Sequence, residues 1–469
     1  MRRAVILCLM LGLVALWPMP VLASAEAPAG WPAWHLQAAF LGLLAAVALV
    51  LVAVGATPPE EAPEMAGVAL GALAVGVVAY TVSGFAFQFG GIALHVPWPG
   101  LAELTAEWSP LDPTLGLGWG AVGLRGFFLG AGAATPDAYA LAATQLPAVA
   151  VAVLIPTLAL ARRVRRGALL VVAAVMGGLL YPLVGNWVWG GGWLALLGLN
   201  AGLGHGFVDH GGSATLHLLG ASAALAGIVI FGRSGRPARG EVPARLPPAH
   251  FPVFMLLGAM LAPIGWVGLI LANPLVTADL SAGLVAVNVM LGALGGAAPA
   301  LLYAWLATGR ADALLAARGL VAGLVAVSAA CGFLQPWEAF LAGVAAGVAL
   351  PLVLYLVEHV LGWHDPNAIL AGHGVPGLVG ALWLALFADG RWGRGWNGVT
   401  GSQGVAGLYV APRCVSDVPG QLYAQLAGVG AVFLVAFALP VLIFGLASGL
   451  EALGRRLAAG RRGRVAGAG

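Results

Sequence analysis

The feature that most constrains this 469-residue chain is a succession of apolar runs, each near twenty residues long and almost free of charge. Folded in water, such runs would leave too little wettable surface, so an ordinary soluble globule is excluded. Charged residues make up 8% of the chain, roughly a third of the share that a cytosolic domain carries. The 71 glycines and 30 prolines sit within the apolar runs without collagen periodicity, where small residues let membrane helices approach closely. Net charge is +3, and its basic part is arginine alone, clustered at the ends of the runs. That distribution does not suit nucleic acid.

Arg2 and Arg3, the apolar run from Ala4 to Trp17, and the small-residue triplet Ala23, Ser24 and Ala25 predict a cleavable signal peptide over residues 1–25. A retained first helix is the alternative. Cleavage would remove Cys8 and leave Cys331 and Cys414, too few for a disulfide framework. Eleven further runs can span a hydrocarbon core of about 30 Å: 36–56, 66–88, 139–161, 167–188, 212–232, 250–272, 281–307, 313–333, 337–360, 371–388 and 422–449. With the mature amino terminus outside, fifteen arginines between Arg162 and Arg464 fall on inner segments, and four, Arg125, Arg391, Arg394 and Arg413, on outer ones. This is the positive-inside bias. An odd number of spans then puts the carboxyl terminus inside, with a short basic cytoplasmic tail over 451–469. The awkward piece is the acidic loop Thr57 to Glu64, which this topology also places inside. The expectation is an all-α integral membrane protein of the cell (inner) membrane, its single membrane domain covering 26–450.

An ionisable side chain within hydrocarbon costs several kcal/mol, so those that persist there are informative. His35, His95, His205, His210, His250, His359 and His364 fall near boundaries or in loops and read as interfacial or solvated. His217 and His373 do not. Each follows an aspartate by eight residues, Asp209 in DHGGSATLH and Asp365 in DPNAILAGH. Each aspartate can cap a helix, accepting from free backbone N–H groups and complementing the helix dipole, and Pro366 suits the first helical position. Eight residues place each imidazole roughly 12 Å below its cap, near mid-membrane. One helix runs inward and the other outward, as an inverted repeat of helices 1–5 and 6–10 would arrange. Spacing alone leaves two readings open: a functional pair able to donate from one ring nitrogen and accept at the other, or buried structural histidines.

The residues around these histidines resemble the ammonium transporter, methylammonium permease and Rhesus family. WVWGGGWLA at Trp187 to Ala195, followed by VDHGGSATLHLLGASAALAG ending at Gly227, is similar to that family's fifth-helix signature, and DPNAILAGHGVPGLVG from Asp365 to its tenth. Weaker likeness covers IGWVG at Ile264, GLVAGLVAVSAACG at Gly319, Gln145 in the third helix and PGQLYAQLAGVG before the last. The resemblance implies a homotrimer with one narrow, largely apolar pore per subunit and no cofactor or metal. It implies that His217 and His373 are the paired pore histidines. Asp209 would support the outer vestibule, and Trp189 with Asn273 would recruit ammonium or ammonia there. A cation over an indole face gains roughly 0.5–2 kcal/mol. Trp189 read by itself is equally an interfacial belt residue, and Trp187, Trp193 and Trp266 are left as belt or packing.

Three departures from the family pattern stand out. Ala148 and Leu269 occupy the positions of two stacked gate phenylalanines, which would widen the gate. Asn273 stands for a smaller polar residue. The tail, LEALGRRLAAGRRGRV, lacks the acidic segment through which relatives couple to a small nitrogen-signalling protein, so that partner is not expected. Arg318, where a small polar residue is usual, reads as a cytoplasmic anchor. A disulfide between Cys331 and Cys414, both outside in this topology, is permitted but not specified. The expected function is transport of ammonium or ammonia. Alternatives are a pore of altered selectivity, for methylated amines or other small neutral solutes, and a non-transporting ammonium sensor or structural membrane protein. An enzyme is not expected, because no nucleophile triad order, zinc-ligand cluster or phosphate loop is visible.

Overall fold

The computed structural model describes residues 33–231, 250–276, 280–363, 365 and 367–466. The expected signal peptide, Arg233, Arg236, Arg239 and Arg245, His364 and Pro366 lie outside the described residues. Ten helices among those described are long and apolar enough to cross a membrane, and a shorter apolar helix lies between two of them. In chain order they are α1 (Trp34–Ala56), α2 (Ala62–Leu94), α3 (Pro136–Leu160), α4 (Arg166–Trp189), α5 (Ser213–Phe231), α6 (Pro252–Ala272), α7 (Ala282–Thr308), the short α8 (Ala313–Ser328), α9 (Pro336–Val360), α10 (Leu370–Phe387) and α11 (Gly420–Ala466). Each of the predicted apolar runs overlaps one of them.

Several starts follow local rules. The Thr135 hydroxyl accepts from Ala138 N–H to open α3, Ser281 accepts from Leu284 N–H to open α7, and Asp312 accepts from Leu314 and Leu315 N–H to open α8. Prolines occupy the first turn of α3, α6 and α9, where no donor is needed. The end of α8 differs from the sequence expectation. Its run was read through residue 333, yet the helix stops at Ser328. There the carbonyls of Ser328 and Ala329 accept from Gly211 and His210 N–H, so the chain turns to hold the entrance of α5. At the other end of the chain the helix extends past residue 449, through Ala466.

Lipid offers helices no hydrophobic reason to associate, so close backbone approach supplies the packing energy. α1 packs along α6, and a Cβ on Gly265 would meet the Ala45 backbone nitrogen at 2.1 Å. Among α7, α8 and α9, a Cβ on Gly323 would meet the Gly292 carbonyl oxygen at 2.1 Å. The acidic loop before α2 also finds its place: Glu61 pairs with Arg162 at 2.8 Å and Glu64 with Arg166 at 2.7 Å, which puts that loop on the same side as the α3–α4 arginines.

At the opposite end, the long segments between helices interlock. Asn200 Nδ2 donates to the Gly118 carbonyl, Trp193 N–H to the Gly120 carbonyl, and Asn397 Nδ2 to the His205 carbonyl. Gln421 and Gln425 of α11 clasp residues 205–208, the stretch leading into α5, through both ends of their amides. Fully satisfied buried amides of this kind hold one conformation.

The backbone contact at Gly265 yields a direct test. Gly265→Ala destabilises the protein by about 3 kcal/mol or more, because backbone, unlike a flexible side chain, cannot yield. Gly67→Ala on α2, where a Cβ would meet open space, leaves thermal stability in detergent unchanged. Equal melting temperatures for the two variants would contradict the packing described.

Candidate functional site

Both candidate histidines lie at the start of their helices in wide, π-helical turns, Ser213–Leu218 in α5 and Leu370–Gly374 in α10. A π-turn shifts the register of the following residues and is common at functional sites. Each turn is organised by its aspartate. Asp209 Oδ2 accepts from Ala214 N–H at 3.0 Å, Thr215 N–H at 2.7 Å and the Thr215 hydroxyl at 2.8 Å. Asp365 accepts from Ile369 N–H at 2.9 Å through Oδ1 and from Leu370 N–H at 2.8 Å through Oδ2. Neither aspartate is the residue adjoining its helix; each reaches forward from the preceding loop and supplies acceptors that the first turn lacks.

The two helices bring the imidazoles into direct contact. His217 Nδ1 and His373 Nδ1 are 3.0 Å apart, the ring centroids 5.1 Å apart, and the planes 19° from parallel. His217 is fully buried and His373 nearly so. One Nδ1 must carry the hydrogen and the other must accept it. In a neutral pair the donor ring therefore presents a bare Nε2, and the acceptor ring presents Nε2–H. Trp266 lies flat on His217, with centroids 5.3 Å apart and planes 5° from parallel, and donates its indole N–H to Ser328 Oγ at 3.1 Å. That role was missed in the sequence, where Trp266 read as belt or packing.

A small cavity of about 10 Å³ lies beside the middle of α3 and a second of about 30 Å³ further along it. The first is lined by Trp189, Asn273, Ala148, Leu269, Gln145 and His210, so two of the expected recruitment positions share one space with both gate positions, while Asp209, the third, does not line it. The second is lined by His373, Arg318, Asn367, Ile155 and Leu158 among apolar neighbours. Ala148 and Ile155 are seven positions apart on α3, a rise of roughly 10 Å, so the cavities sit at different depths. Leu216, beside His217, lines the first, and His373 the second.

The first cavity is braced by polar contacts. Trp189 Nε1 donates to the Asp209 carbonyl at 2.9 Å, and its ring meets Tyr181 edge-on. The Tyr181 hydroxyl donates to Gln145 Oε1 at 3.0 Å, which also accepts from Gln88 Nε2 at 3.2 Å, while Tyr80 donates to Gln88 Oε1 at 2.8 Å. Asn273 Oδ1 accepts from Leu275 N–H at 3.0 Å.

Other readings of the sequence are corrected here. His35, His205 and His210 are buried, not solvated: His35 Nδ1 bonds the Leu271 carbonyl, and His205 pairs with Asp417 at 3.3 Å. Arg318 is only 3% exposed and lines the second cavity, so it is no exposed interfacial anchor. Cys331 and Cys414 are both free thiols, and Cys331 lies against His210.

A bundle of long apolar helices closed around two hydrogen-bonded imidazoles defines a multi-pass membrane protein with a polar pair buried in its core. The chain belongs to the Ammonium Transporter Family, whose family model matches residues 33–453. Among its relatives, the ammonium transporter Amt2 of Archaeoglobus fulgidus is 30% identical over 363 residues, which cover 77% of this chain and 72% of that one. An ammonium transporter of Bacillus subtilis is 30% identical over 230 residues, 49% of this chain and 53% of that one. The fold is similar to that of Candida albicans Mep2, with a TM-score of 0.68 at 22% identity, covering 87% of this chain and 82% of that one. It is also similar to a sensor Amt protein, with a TM-score of 0.70 at 23% identity, covering 89% and 93%.

The cap geometry makes a prediction of its own. Asp209→Ala leaves three buried donors without an acceptor and destabilises the protein by about 3–5 kcal/mol, whereas Asp209→Asn retains part of the contact. Thermal unfolding in detergent, with the order Ala below Asn below parent, is the expected result.

Proposed function

We propose that the chain transports ammonium or ammonia across the cell (inner) membrane through a pore within each subunit. Family membership supports transport of this substrate, and the single observation that carries the route is the buried His217–His373 hydrogen bond between two cavities. In this reading all eleven apolar helices span the membrane, α8 included, with helices 1–5 and 6–10 as an inverted repeat. The mature amino terminus is outside, the carboxyl terminus is cytoplasmic, and three copies assemble.

The chemistry follows from the residues. A bare cation is costly in an apolar conduit, so ammonium is captured at Trp189 and Asn273, gives its proton back to outer water from the outer cavity, and continues as ammonia. At the imidazole pair the solute meets one Nε2–H and one bare Nε2, which suit a molecule that both donates and accepts. Asp209 holds the first turn of α5 and, through its carbonyl, Trp189; Asp365 does the same for the turn that carries His373. Ammonia is reprotonated on reaching inner water.

Two flux predictions follow in proteoliposomes of the full chain. His217→Ala and His373→Ala each lower ammonium flux by about tenfold, the equivalent of one lost hydrogen bond of about 1.4 kcal/mol at the barrier. Parental flux in both variants would remove the imidazoles from the route. Ala148 and Leu269 leave the outer cavity floor without aromatic rings, so methylammonium should enter as well. The double change Ala148→Phe with Leu269→Phe lowers methylammonium uptake relative to ammonium, and an unchanged ratio would exclude these two positions as selectivity determinants.

A further inference from the structure

His210 follows Asp209 directly and was read from sequence as a loop residue. The structure places it in the wall of the outer cavity at 2% exposure, with its Nε2 lacking a hydrogen-bond partner among the described residues. A buried ring nitrogen left without a partner loses the hydration it would have had in water. Its neighbours are apolar or aromatic on two sides: Phe333 and Trp396 meet the ring edge-on, at 6.1 and 5.8 Å between centroids.

The other ring nitrogen decides what Nε2 can do. Nδ1 lies 3.9 Å from Cys331 Sγ, and Cys331 gives its own S–H to the Ser328 carbonyl at 3.6 Å. The sulfur is then free to accept from Nδ1–H, and in that tautomer the lone pair is on Nε2. The other side-chain oxygens of the cavity each already have a hydrogen-bond partner, although one bond does not exhaust an amide or hydroxyl oxygen. Gln145 Oε1 accepts twice, and Asn273 Oδ1 accepts from Leu275 N–H. The Thr144 hydroxyl gives its hydrogen to the Leu141 carbonyl.

From this arrangement we infer that His210 Nε2 is a substrate-binding acceptor of the outer cavity, taking a hydrogen bond from an N–H of ammonium while the indole of Trp189 meets the cation. This rests on the transport reading and adds a third imidazole to it, one that binds before the paired histidines are reached. It sets apparent affinity: His210 acts where the cation is captured, and not at the narrow passage beyond.

The test is the concentration dependence of ammonium flux in proteoliposomes of the full chain, comparing the parent with His210→Phe and His210→Gln. Phenylalanine keeps the planar ring and removes the acceptor, so the half-saturating concentration rises about tenfold or more while the maximal rate stays within about twofold. Glutamine, whose amide oxygen can accept, restores most of the affinity. A phenylalanine variant with parental half-saturation overturns the inference, and so does a glutamine variant no better than phenylalanine, which would assign the effect to packing. Should His210→Phe fail to fold, His210→Met takes its place with the same expected and overturning results. A parent without flux removes the transport reading, and this inference with it; parental flux with unchanged affinity in the variants removes this inference alone.

Discussion

The 3.0 Å hydrogen bond between His217 and His373 is the constraint on which the interior depends. It joins two helices that reach it from separate halves of the chain, and it requires both rings to arrive at one depth with their Nδ1 atoms facing. Trp266, lying parallel to His217, closes one face of the pair and limits rotation of that ring. Because the hydrogen between two Nδ1 atoms belongs to one ring at a time, the pair always offers one donor and one acceptor at its outer nitrogens. A solute such as ammonia, able to donate and accept, is matched by that asymmetry.

Holding two imidazoles in such a place calls for support beyond the helices that carry them. Asp209 and Asp365 feed acceptors into turns whose N–H groups have no intrahelical partner, and the π-helical geometry of both turns depends on those bonds. The entrance of α5 is held further by the end of α8 and by the two glutamines of α11. Close backbone packing between α1 and α6, and among α7, α8 and α9, fixes the bundle that these local devices assume. A polar network of Gln88, Gln145, Tyr80 and Tyr181 then braces the aromatic wall that contains Trp189.

Positions of helices were legible in the chain because apolar length is a local property: a run near twenty residues has one stable state in lipid. The exception, α8, stops early where its carbonyls serve α5, and no window of local sequence contains both partners. The two aspartates and two histidines were legible because their spacing repeats. His210, Trp266 and Arg318 were not. Each has an ordinary local setting, a loop position, a membrane tryptophan or an arginine near a helix start, and each takes its place from residues distant in the chain.

The sequence by itself determined a helical membrane protein, the spacing of its two key imidazoles from their aspartates and the turns those aspartates hold. All of these depend on spacing along one helix, where rise per residue is constant. Only the tertiary structure decided which faces meet. Rotation about a helix axis and choice of neighbour are set by contacts between distant segments, so the ring-to-ring hydrogen bond, the tryptophan stacked on it and the unpartnered nitrogen of His210 exist only once the bundle has closed.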